Sequence, residues 1–396
     1  MIIIGAGLGG LALAQGLHRQ GFSVQVHECD AHPGARPQGY RIQLDEPGRT
    51  GLRRCLPAPL FDLVLATAGA PPARVLVRDP QLNALADRAA AAQGATGDAQ
   101  GPLAVNRPTL RQILLAGLAG RVRFGSRLLD HRREADGTVT ARFADGSTAT
   151  ADLLVGADGV GSAVRRQLLP HAEVEDAGLR LIYGRIPLTA ATRAAIPAWA
   201  LEAVFTVVTG GPGRPHLGLG PVELAQRPEL AGQALVPPVE LAPADDYLAC
   251  LVGAPAGHPA VPDFAELRRL APAALRELAV GLLDPDDWHP QVHQLLRLWD
   301  TDSLFPLRIS TAAPVPGWEP GPVTLIGDAV HAMSPVLAMG ANTALRDAGE
   351  LLLALTRAAG APLVEAVRDY ERRMTGYAFP LVAASRATGQ RRVGQS

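Results

Sequence analysis

The chain has 396 residues, of which 47% are hydrophobic, and its formal net charge is −1. At about 150 residues per domain, this length predicts two or three domains with sizeable cores. The nearly neutral charge gives no electrostatic basis for binding nucleic acid or an anionic membrane. All 37 basic side chains are arginines, which excludes enzymes that need a Schiff-base or P-loop lysine. We attribute the missing lysine to a GC-rich genome rather than to function.

The three cysteines, Cys29, Cys55 and Cys250, are too few and too scattered for a disulfide framework, a redox pair or a zinc site. We therefore expect no metal. The chain has no basic leader segment, and no apolar stretch reaches about 18 residues. These features predict a cytoplasmic protein without a membrane span.

The first predicted element is a short apolar strand at Met1–Ile4, which leads into a glycine-rich turn and a helix. The turn reads Gly5-Ala6-Gly7-Leu8-Gly9-Gly10, so that Gly5, Gly7 and Gly10 fill the G-x-G-x-x-G pattern. A second apolar run, Ser23–His27, is followed by Glu28. In dinucleotide-binding folds an acid about 20 residues after the glycine-rich turn binds a ribose hydroxyl, and Glu28 stands close to that distance. Strand, turn, helix and acid together predict the ADP-binding site of a dinucleotide.

The next part of the chain carries weaker signals. Gly39–Leu44 reads as a strand after a loop rich in proline and glycine. Residues from about 89 to 101 have little periodic pattern and predict a loop. A helix is predicted to begin after Asn106, with Pro108 near its first turn.

A second strand–turn–helix pattern starts at Asp152. An apolar run leads to Gly156-Ala157-Asp158-Gly159, so a carboxylate again stands beside glycine at a strand end. Ser162 follows and can cap the helix that begins next.

From about Leu179 to Val252 short alternating runs predict an antiparallel sheet. The predicted strands are Arg180–Leu188, Ala203–Val208, His216–Leu219 and Tyr247–Val252. Alternation alone does not say which face of this sheet points inward. Two amphipathic helices are predicted at Asp263–Leu283 and Pro362–Met374, and we interpret the apolar stripe of the second as core packing.

The third motif follows the apolar strand Val323–Ile326. It reads Gly327-Asp328-Ala329-Val330-His331, and Pro335 and Gly340-Ala341-Asn342 come after it. A helix start presents unpaired N–H groups and a partial positive charge, which favour an anionic or electron-rich ligand group.

With these three motifs in order, the chain resembles the single-component FAD-dependent aromatic hydroxylases of the p-hydroxybenzoate hydroxylase type over essentially its whole length. The resemblance implies an α/β fold, with a Rossmann-like FAD-binding domain of the GR2 type, an inserted antiparallel β-sheet substrate domain and C-terminal helices. It implies that residues 1–76, 100–170 and 295–350 form the FAD-binding domain, 77–99 and 171–294 the substrate-binding domain, and 351–396 a C-terminal helical segment.

The resemblance also implies which residues bind the cofactor. The first motif would hold the ADP half of FAD, Asp158 would touch both FAD and the nicotinamide donor, and Asp328 would contact the ribityl and pyrophosphate region. A basic residue often follows the ribose acid in relatives, so Cys29 removes one adenine contact. Pro335 and Gly340 would position the flavin face. The full set of implied cofactor residues is Gly5, Gly7, Leu8, Gly10, Glu28, Cys29, Arg41, Arg107, Asp158, Gly159, Asp328, Gly340, Ala341 and Asn342.

The implied activity is that of an NADPH- or NADH-dependent monooxygenase. Reduced flavin would react with dioxygen to a hydroperoxide, which delivers one oxygen atom to an aromatic or polycyclic small molecule. The sheet over the flavin would hold this substrate, and Tyr183, Arg185 and His216 are the candidate contacts. His331 is not assigned as a base, because histidine commonly fills this position in the family without accepting the proton. We expect a monomer or a homodimer.

Besides Cys29, the chain departs from the family in one loop. Relatives usually have glycine at position 338 and a polar residue at 339, where this chain has Ala338 and Met339.

The alternative from a different class is an FAD-binding protein that sequesters or reshapes a small molecule without oxygenating it. A flavin-dependent halogenase would need a W-x-W-x-I-P segment and an active-site lysine, and a disulfide reductase would need a second G-x-G-x-x-G and a cysteine pair. The sequence has none of these.

Overall fold

The fold is mixed α/β, as the sequence predicts, and is built on one five-stranded and one seven-stranded sheet, with two smaller sheets. The computed structural model describes residues 1–35, 39–89, 101–357 and 362–395. The loop predicted at about 89–101 therefore lies, apart from its end residues, outside the described residues.

The strands are short in the first half of the chain and longer in the middle. In chain order they are β1 (Ile2–Ile4), β2 (Gln25–His27), β3 (Arg41–Leu44), β4 (Arg74–Arg78), β5 (Ala84–Ala89), β6 (Leu103–Asn106), β7 (Val122–Arg123), β8 (Leu128–Arg133), β9 (Val139–Phe143), β10 (Thr148–Ala151), β11 (Leu154–Gly156), β12 (Val174–Pro187), β13 (Phe205–Thr209), β14 (His216–Val222), β15 (Tyr247–Pro255), β16 (Phe305–Ala312) and β17 (Val323–Leu325).

The helices lie before, between and after these strands. They are α1 (Leu8–Arg19), α2 (Glu46–Cys55), α3 (Ala58–Ala66), α4 (Arg107–Leu115), α5 (Ala163–Leu168), α6 (Ala190–Ala195), α7 (Pro228–Leu235), α8 (Phe264–Leu267), α9 (Pro272–Leu282), α10 (Pro290–Arg297), α11 (Asp328–His331), α12 (Gly340–Arg357) and α13 (Leu363–Val393), with 3-10 turns at Ala198–Ala200, Thr301–Ser303 and Pro335–Leu337. In the described part of the chain, no helix combines the length and apolar character that crossing a bilayer requires.

The five-stranded sheet, called here the parallel sheet, has the order β17-β11-β1-β2-β7. Its neighbouring strands all pair in parallel. All three residues of β1, β11 and β17 are buried, as expected for strands covered on both faces. Because the strands are parallel, the chain leaves β1, β2, β11 and β17 at the same edge of the sheet, where ligands bind in folds of this kind.

The seven-stranded sheet, called here the large sheet, has the order β16-β12-β15-β14-β13-β4-β5. It is antiparallel except where β13 pairs in parallel with β4. One face packs on helices α9 and α10 through a buried apolar cluster that includes Ile182, Leu248 and Val292. The opposite face, called here the inner face, is described with the candidate site.

Two strands of the large sheet come from segments that were predicted to belong to the FAD-binding domain. Strand β16 lies within residues 295–350 and pairs with β12, and strand β4 begins at Arg74, before residue 77. Strand partners are set by contacts with residues far away in the sequence, so a local sequence pattern does not fix them. Sheet membership does not by itself define a domain, and the predicted boundaries stay predictions.

The predicted helix over Asp263–Leu283 is wrong as one element. It is two helices, α8 and α9, with Pro272 as the first residue of α9. Proline lacks a backbone N–H and disfavours helical geometry in the preceding residue, so the first helix stops before it. Helix α13 is longer than the predicted Pro362–Met374, since it continues through Pro380 to Val393.

A buried carboxylate links α13 to the parallel sheet. Glu371 accepts hydrogen bonds at Oε1 from the Thr324 hydroxyl at 2.8 Å and from the Trp318 indole at 3.0 Å. Its Oε2 is buried and has no partner among the described residues. Burial raises the pKa of Glu371 to about 7, and the two hydrogen bonds only partly oppose this.

This pKa predicts a pH-dependent stability. Because the folded protein holds the proton more tightly than the unfolded chain, the contribution is complete below pH 4.5 and is lost as the pH rises through about 7. We expect the wild type to lose about 1–3 kcal/mol of unfolding free energy from this group between pH 4.5 and 8. Glu371→Gln should lack this component, and denaturant titrations of both proteins at several pH values would measure it. Parallel pH profiles of the two proteins would contradict the prediction.

Candidate active site

The glycine-rich turn between β1 and α1 is shaped by two crowded glycines and one open one. Gly5 has a φ of +107°, and a Cβ there would collide with the carbonyl oxygen of Ala157. A Cβ on Gly10 would collide with the carbonyl oxygen of Gly5. A Cβ on Gly7, by contrast, would have no atom within 4 Å. Gly5 and Gly10 are thus required by packing, whereas Gly7 leaves room for a ligand over the start of α1.

Glu28 follows β2 and ties it to this turn. Its Oε2 accepts the Ala6 N–H at 2.8 Å, and its Oε1 accepts the Asp30 N–H at 2.9 Å. The Cys29 thiol, which is exposed, donates to the same Oε1 at 3.3 Å. A carboxylate oxygen can accept two hydrogen bonds, so Oε2 of Glu28, which accepts one, can still receive a ribose hydroxyl.

Two arginines of α4 lie near the site, and only one of them was predicted. Arg111 is buried and donates from Nε to the Ala6 carbonyl at 3.2 Å and from Nη1 to the Pro33 carbonyl. Arg107 is half-buried, and its charge acts on both Asp328 and Tyr183. Arg111 stands one helical turn after Arg107, so i,i+4 spacing was the signal that could have identified it.

Asp158, at the end of β11, has one engaged and one free oxygen. Its Oδ2 accepts the N–H groups of Ala163 at 2.7 Å and Val164 at 3.3 Å, at the start of α5. Its Oδ1 is buried and has no partner in the part of the chain that the structure describes. Burial raises the pKa of Asp158, and the hydrogen bonds it accepts oppose the change. A buried acceptor without a donor is rare in native proteins, which indicates a ligand group at this position.

The turns beside Asp158 agree with the second motif. Gly159 has a φ of +70°, which favours glycine. The predicted cap is confirmed, since the Ser162 hydroxyl accepts the Arg165 N–H at 2.8 Å.

Asp328 follows β17 and Gly327, which has a φ of +62°. Its Oδ1 lies 3.7 Å from the position of a Cβ on Gly340, so the third motif and the start of α12 meet. The side chain is exposed at the cleft surface, while protein encloses it on the other sides. This enclosure raises the pKa of Asp328, and the charges of His331 and Arg107 oppose the change.

The Asn342 side chain is buried and makes three hydrogen bonds to the backbone. Its Oδ1 accepts the Asp45 N–H at 3.0 Å, and its Nδ2 donates to the carbonyls of Gln43 at 2.7 Å and Ala338 at 3.0 Å. The residue therefore ties β3 to α12. A ligand can instead bind the backbone N–H groups of Gly340, Ala341 and Asn342 in the first turn of α12, because these groups lack intrahelical partners.

The loop before α12 has two notable backbone positions. Pro335 is exposed at the start of its 3-10 turn, and the Ser334 carbonyl before it accepts the Ser385 hydroxyl of α13 at 2.7 Å. Ala338 has a φ of 55° in the left-handed region, where a side chain costs roughly 1 kcal/mol. This is the position at which the sequence departs from a glycine.

A fully buried carboxylate, Asp347 of α12, organises the third motif from behind. Its Oδ2 accepts the Gly327 N–H at 2.7 Å and pairs with His331 Nε2 at 2.6 Å, and its Oδ1 accepts the Tyr377 hydroxyl at 2.6 Å. Burial alone would lower the pKa of His331, but the carboxylate of Asp347 outweighs it and raises the pKa. His331 is fully buried and therefore lies out of reach of a substrate in this conformation.

Tyr183, Arg185 and His216 lie on the same face of the large sheet. Tyr183 and Arg185 are two residues apart on β12, and His216 is aligned through Gly253 with Leu181 on that face. Directly paired residues share a face. Arg41 of β3 lies over Gly220 of this inner face. The inner face also lies near the third motif, because the charge of Arg107 acts on both Tyr183 and Asp328. The three residues nevertheless have different surroundings.

Tyr183 is half-buried, and its ring lies 5.8 Å from that of Tyr40 and 5.7 Å from that of Phe305. Arg185 pairs with Asp300 at 3.3 Å and lies over the Tyr40 ring. His216 is buried, its Nδ1 has no partner among the described residues, and burial lowers its pKa to about 4. Tyr183 and Arg185 are thus both partly exposed, whereas His216 is not.

The hydrogen bonds of Arg41 go to the large sheet. Its Nη2 donates to the Val204 carbonyl, directly before β13, at 2.7 Å, and its Nε donates to the Pro221 carbonyl of β14 at 3.4 Å. The predicted cofactor residues from the strand ends, Gly7, Glu28, Asp158 and Asp328, do meet at one edge of the parallel sheet. An open turn, a free buried acceptor and a helix start at this edge fit the pyrophosphate and hydroxyl groups of FAD.

Two family profiles match the chain. An FAD binding domain profile matches residues 309–372, and an NAD(P)-binding Rossmann-like domain profile matches residues 3–56. The second contains the glycine-rich turn and Glu28, and the first contains Asp328 and the start of α12. The matched segments are therefore those that supply most of the candidate cofactor residues.

The chain is also similar to whole proteins. It is 30% identical to the 3-amino-4-hydroxybenzoate 2-monooxygenase of Streptomyces cremeus, over 93% of this chain and 81% of that protein. It is 30% identical to the dual O-methyltransferase/FAD-dependent monooxygenase CTB3 of Cercospora beticola, over 100% of this chain and 46% of that protein. The chain thus spans about half the length, or less, of the first relatives that it matches.

A solved structure shares the fold. A crystal structure described as that of an FAD-containing monooxygenase from Photorhabdus luminescens subsp. laumondii superposes with a TM-score of 0.81 at 29% identity. The similarity covers 98% of this chain and 97% of that one. The arrangement of both sheets therefore has a counterpart in a known protein over nearly its full length.

Proposed function

We propose, from the premise that this chain belongs to the family of FAD-dependent aromatic monooxygenases, that it inserts one oxygen atom from dioxygen into an aromatic or polycyclic small molecule, with NADH or NADPH as electron donor. The observation that carries the proposal is the meeting of Gly7, Glu28, Asp158 and Asp328 at one edge of the parallel sheet. Arg107, whose charge acts on both Asp328 and Tyr183, links this edge to the inner face of the large sheet.

The residues of this edge would divide the cofactor between them. FAD, when bound, supplies hydride acceptance and activation of dioxygen. The open side of Gly7 and the first turn of α1 receive the pyrophosphate, and Glu28 accepts a ribose hydroxyl. Asp158 Oδ1 accepts a donor that the chain does not supply. The carboxylate of Asp328 holds a hydroxyl of the cofactor chain.

The start of α12 would stabilise negative charge on the reduced cofactor. Backbone N–H groups at Gly340 and Ala341 point out of the helix and stabilise negative charge on a nearby ring. Pro335 presents a rigid surface without an N–H. The chain needs no side-chain nucleophile for this chemistry, which is consistent with its having no Ser-His-Asp arrangement in the sequence.

The nicotinamide donor would bind only transiently. The chain has one dinucleotide fingerprint, at Gly5–Gly10, and FAD occupies it in this proposal. The donor is then left with the cleft between the two sheets. Copurification of stoichiometric nicotinamide without substrate would argue against this arrangement.

One observation favours the alternative of a flavin-binding protein that does not oxygenate. The left-handed backbone at Ala338 carries a side chain where relatives have glycine, beside the N–H groups that would stabilise reduced flavin. A less open loop there would weaken the oxygenase reaction without affecting the ADP-binding turn.

The proposal predicts a yellow protein that releases FAD and not FMN on denaturation, since the glycine-rich turn and Glu28 address an ADP group that FMN lacks. Incubated with NADH or NADPH, air and a panel of phenols, aromatic acids and polycycles, it should form a product heavier by one oxygen atom. Chromatography identifies the flavin, and mass spectrometry identifies the product.

The controls separate the two candidate functions. Released FMN alone would overturn the cofactor assignment. FAD together with hydrogen peroxide as the sole oxygen product across the panel would overturn the monooxygenase and leave the non-oxygenating FAD-binding protein.

A further inference from the structure

Arg41 is a half-buried cation whose hydrogen bonds go only to neutral groups. Its Nη2 and Nε donate to the carbonyls of Val204 and Pro221, and Nη1 makes no hydrogen bond to any residue that the structure describes. The guanidinium lies flat over Gly220, where a Cβ would be 2.9 Å from Nε. The large sheet therefore holds the side chain in place and leaves one nitrogen for another partner.

No carboxylate of the described residues forms an ion pair with Arg41. Burial lowers the pKa of Arg41, and the only charges that oppose this come from the phenols of Tyr183 and Tyr247. Enclosed charges in proteins are normally paired with an opposite charge, because an unpaired one loses its hydration without compensation. The missing anion indicates that a ligand supplies it.

The surroundings of Arg41 describe the rest of that ligand. Tyr183 lies on the same inner face, and half-buried apolar side chains continue this face away from it through pairs across the strands. These apolar residues are Val77, Phe205, Val207 and Leu251. An apolar surface of this kind can bind a planar aromatic ring. The polar end of this surface, beside Arg41 and the Tyr183 phenol, can bind a negatively charged oxygen group of the same ligand.

We propose, building on the oxygenase function above, that Arg41 recognises an anionic oxygen group, a carboxylate or a phenolate, on the aromatic substrate. Arg185, which also lies on the inner face, is already paired with Asp300. The same anionic chemistry is found in the pyrophosphate of FAD, for which the resemblance implies Arg41, and in the phosphates of the nicotinamide donor, so the test has to distinguish these sources. Loss of FAD from Arg41→Gln would assign the anion to the cofactor and overturn the proposal.

The test uses the FAD-loaded, oxidised protein and needs neither donor nor oxygen turnover. Ligands are titrated while the flavin absorbance is recorded: benzoate against benzamide, 2-naphthoate against 2-naphthamide, phenols over a range of pH, and 2′,5′-ADP against 5′-AMP. The variants are Arg41→Gln, which removes the charge, Arg41→Lys, which keeps it, and Arg78→Gln as the matched control. Arg78 is a half-buried arginine of β4 that also donates to a carbonyl, that of Leu82, but it lies on the opposite face of the large sheet.

In the wild type, an acid should bind about 10- to 100-fold more tightly than its amide, as expected for a charge-assisted hydrogen bond. Arg41→Gln should remove this preference by weakening the acid and leaving the amide unchanged within about twofold. Arg41→Lys should retain part of this preference, and Arg78→Gln should retain all of it. FAD content and thermal unfolding of each variant establish that the fold and the cofactor are intact.

Several results would overturn the proposal. The wild type could bind neither acid more tightly than its amide and show no preference for a phenolate. The preference for acids could survive in Arg41→Gln. Arg41→Gln could also weaken only the binding of 2′,5′-ADP, which would assign the anion to the donor. A failed oxygenation assay would not affect these binding titrations, so the failure of this proposal and that of the oxygenase function are distinguishable.

Discussion

Gly7→Ala should leave the apoprotein folded and weaken FAD binding by about 10- to 100-fold. Gly7 has an ordinary φ of −76°, and an added Cβ would meet no protein atom within 4 Å, so the apoprotein has no reason to require glycine there. The methyl group would instead occupy space that the pyrophosphate needs, and misplacing a packed group by that much costs about 1–3 kcal/mol. Titrating FAD into the apoprotein by flavin fluorescence measures the loss.

Gly5→Ala is the matched control. Its φ of +107° and the collision of a Cβ with the Ala157 carbonyl predict a loss of apoprotein stability of about 2–4 kcal/mol. Thermal unfolding of the two apoproteins should therefore differ, with the Gly7 variant close to the wild type. If both variants lose stability alike, the distinction between a packing glycine and a ligand glycine fails.

Asp347→Asn should weaken FAD binding by about tenfold or more through Asp328, although Asp347 is fully buried and cannot touch the cofactor. The asparagine keeps one acceptor but disrupts the bonds that fix Gly327 and His331, and so releases the turn that carries Asp328. Breaking such a buried pair costs about 3–5 kcal/mol of stability, only part of which would appear in the affinity for FAD.

A double-mutant cycle isolates the positioning effect. In the Asp328→Asn background, Asp347→Asn should change the FAD dissociation constant less than about threefold, since the group it positions is already lost. Glu371→Gln is the control for disturbing a buried carboxylate next to β17 that does not contact Gly327. Equal effects of Asp347→Asn in both backgrounds would show that Asp347 does not act through Asp328.

The parts of the site that could be predicted from sequence are those set by local spacing. The glycine-rich turn, Glu28 and Asp158 each follow a strand directly, and parallel strands bring their ends to one edge. Ser162 capped its helix as predicted because capping involves residues three positions apart. These features need no knowledge of distant contacts.

The remaining features depend on residues far apart in the chain. The direction of Arg41 is set by the Val204 carbonyl and by space over Gly220, and the sheet membership of β16 is set by its pairing with β12. The side chain of Asn342 forms hydrogen bonds with the backbone of Gln43 and Asp45. Alternation on β12 indicated that Tyr183 and Arg185 share a face, but only the contacts of that face with β3 and α4 showed which way it points.

The central place of β1 has a consequence for synthesis of the chain. Strand β1 ends at Ile4 and needs β11 beside it, and β11 in turn needs β17, which begins at Val323. At about 5–20 residues per second on the ribosome, the apolar N-terminal strand waits roughly 15–65 s before the last strand of its sheet exists. Non-local pairing of this kind folds slowly. Nascent chains should therefore depend on protection by chaperones until the third motif emerges, and they can acquire the cofactor only afterwards.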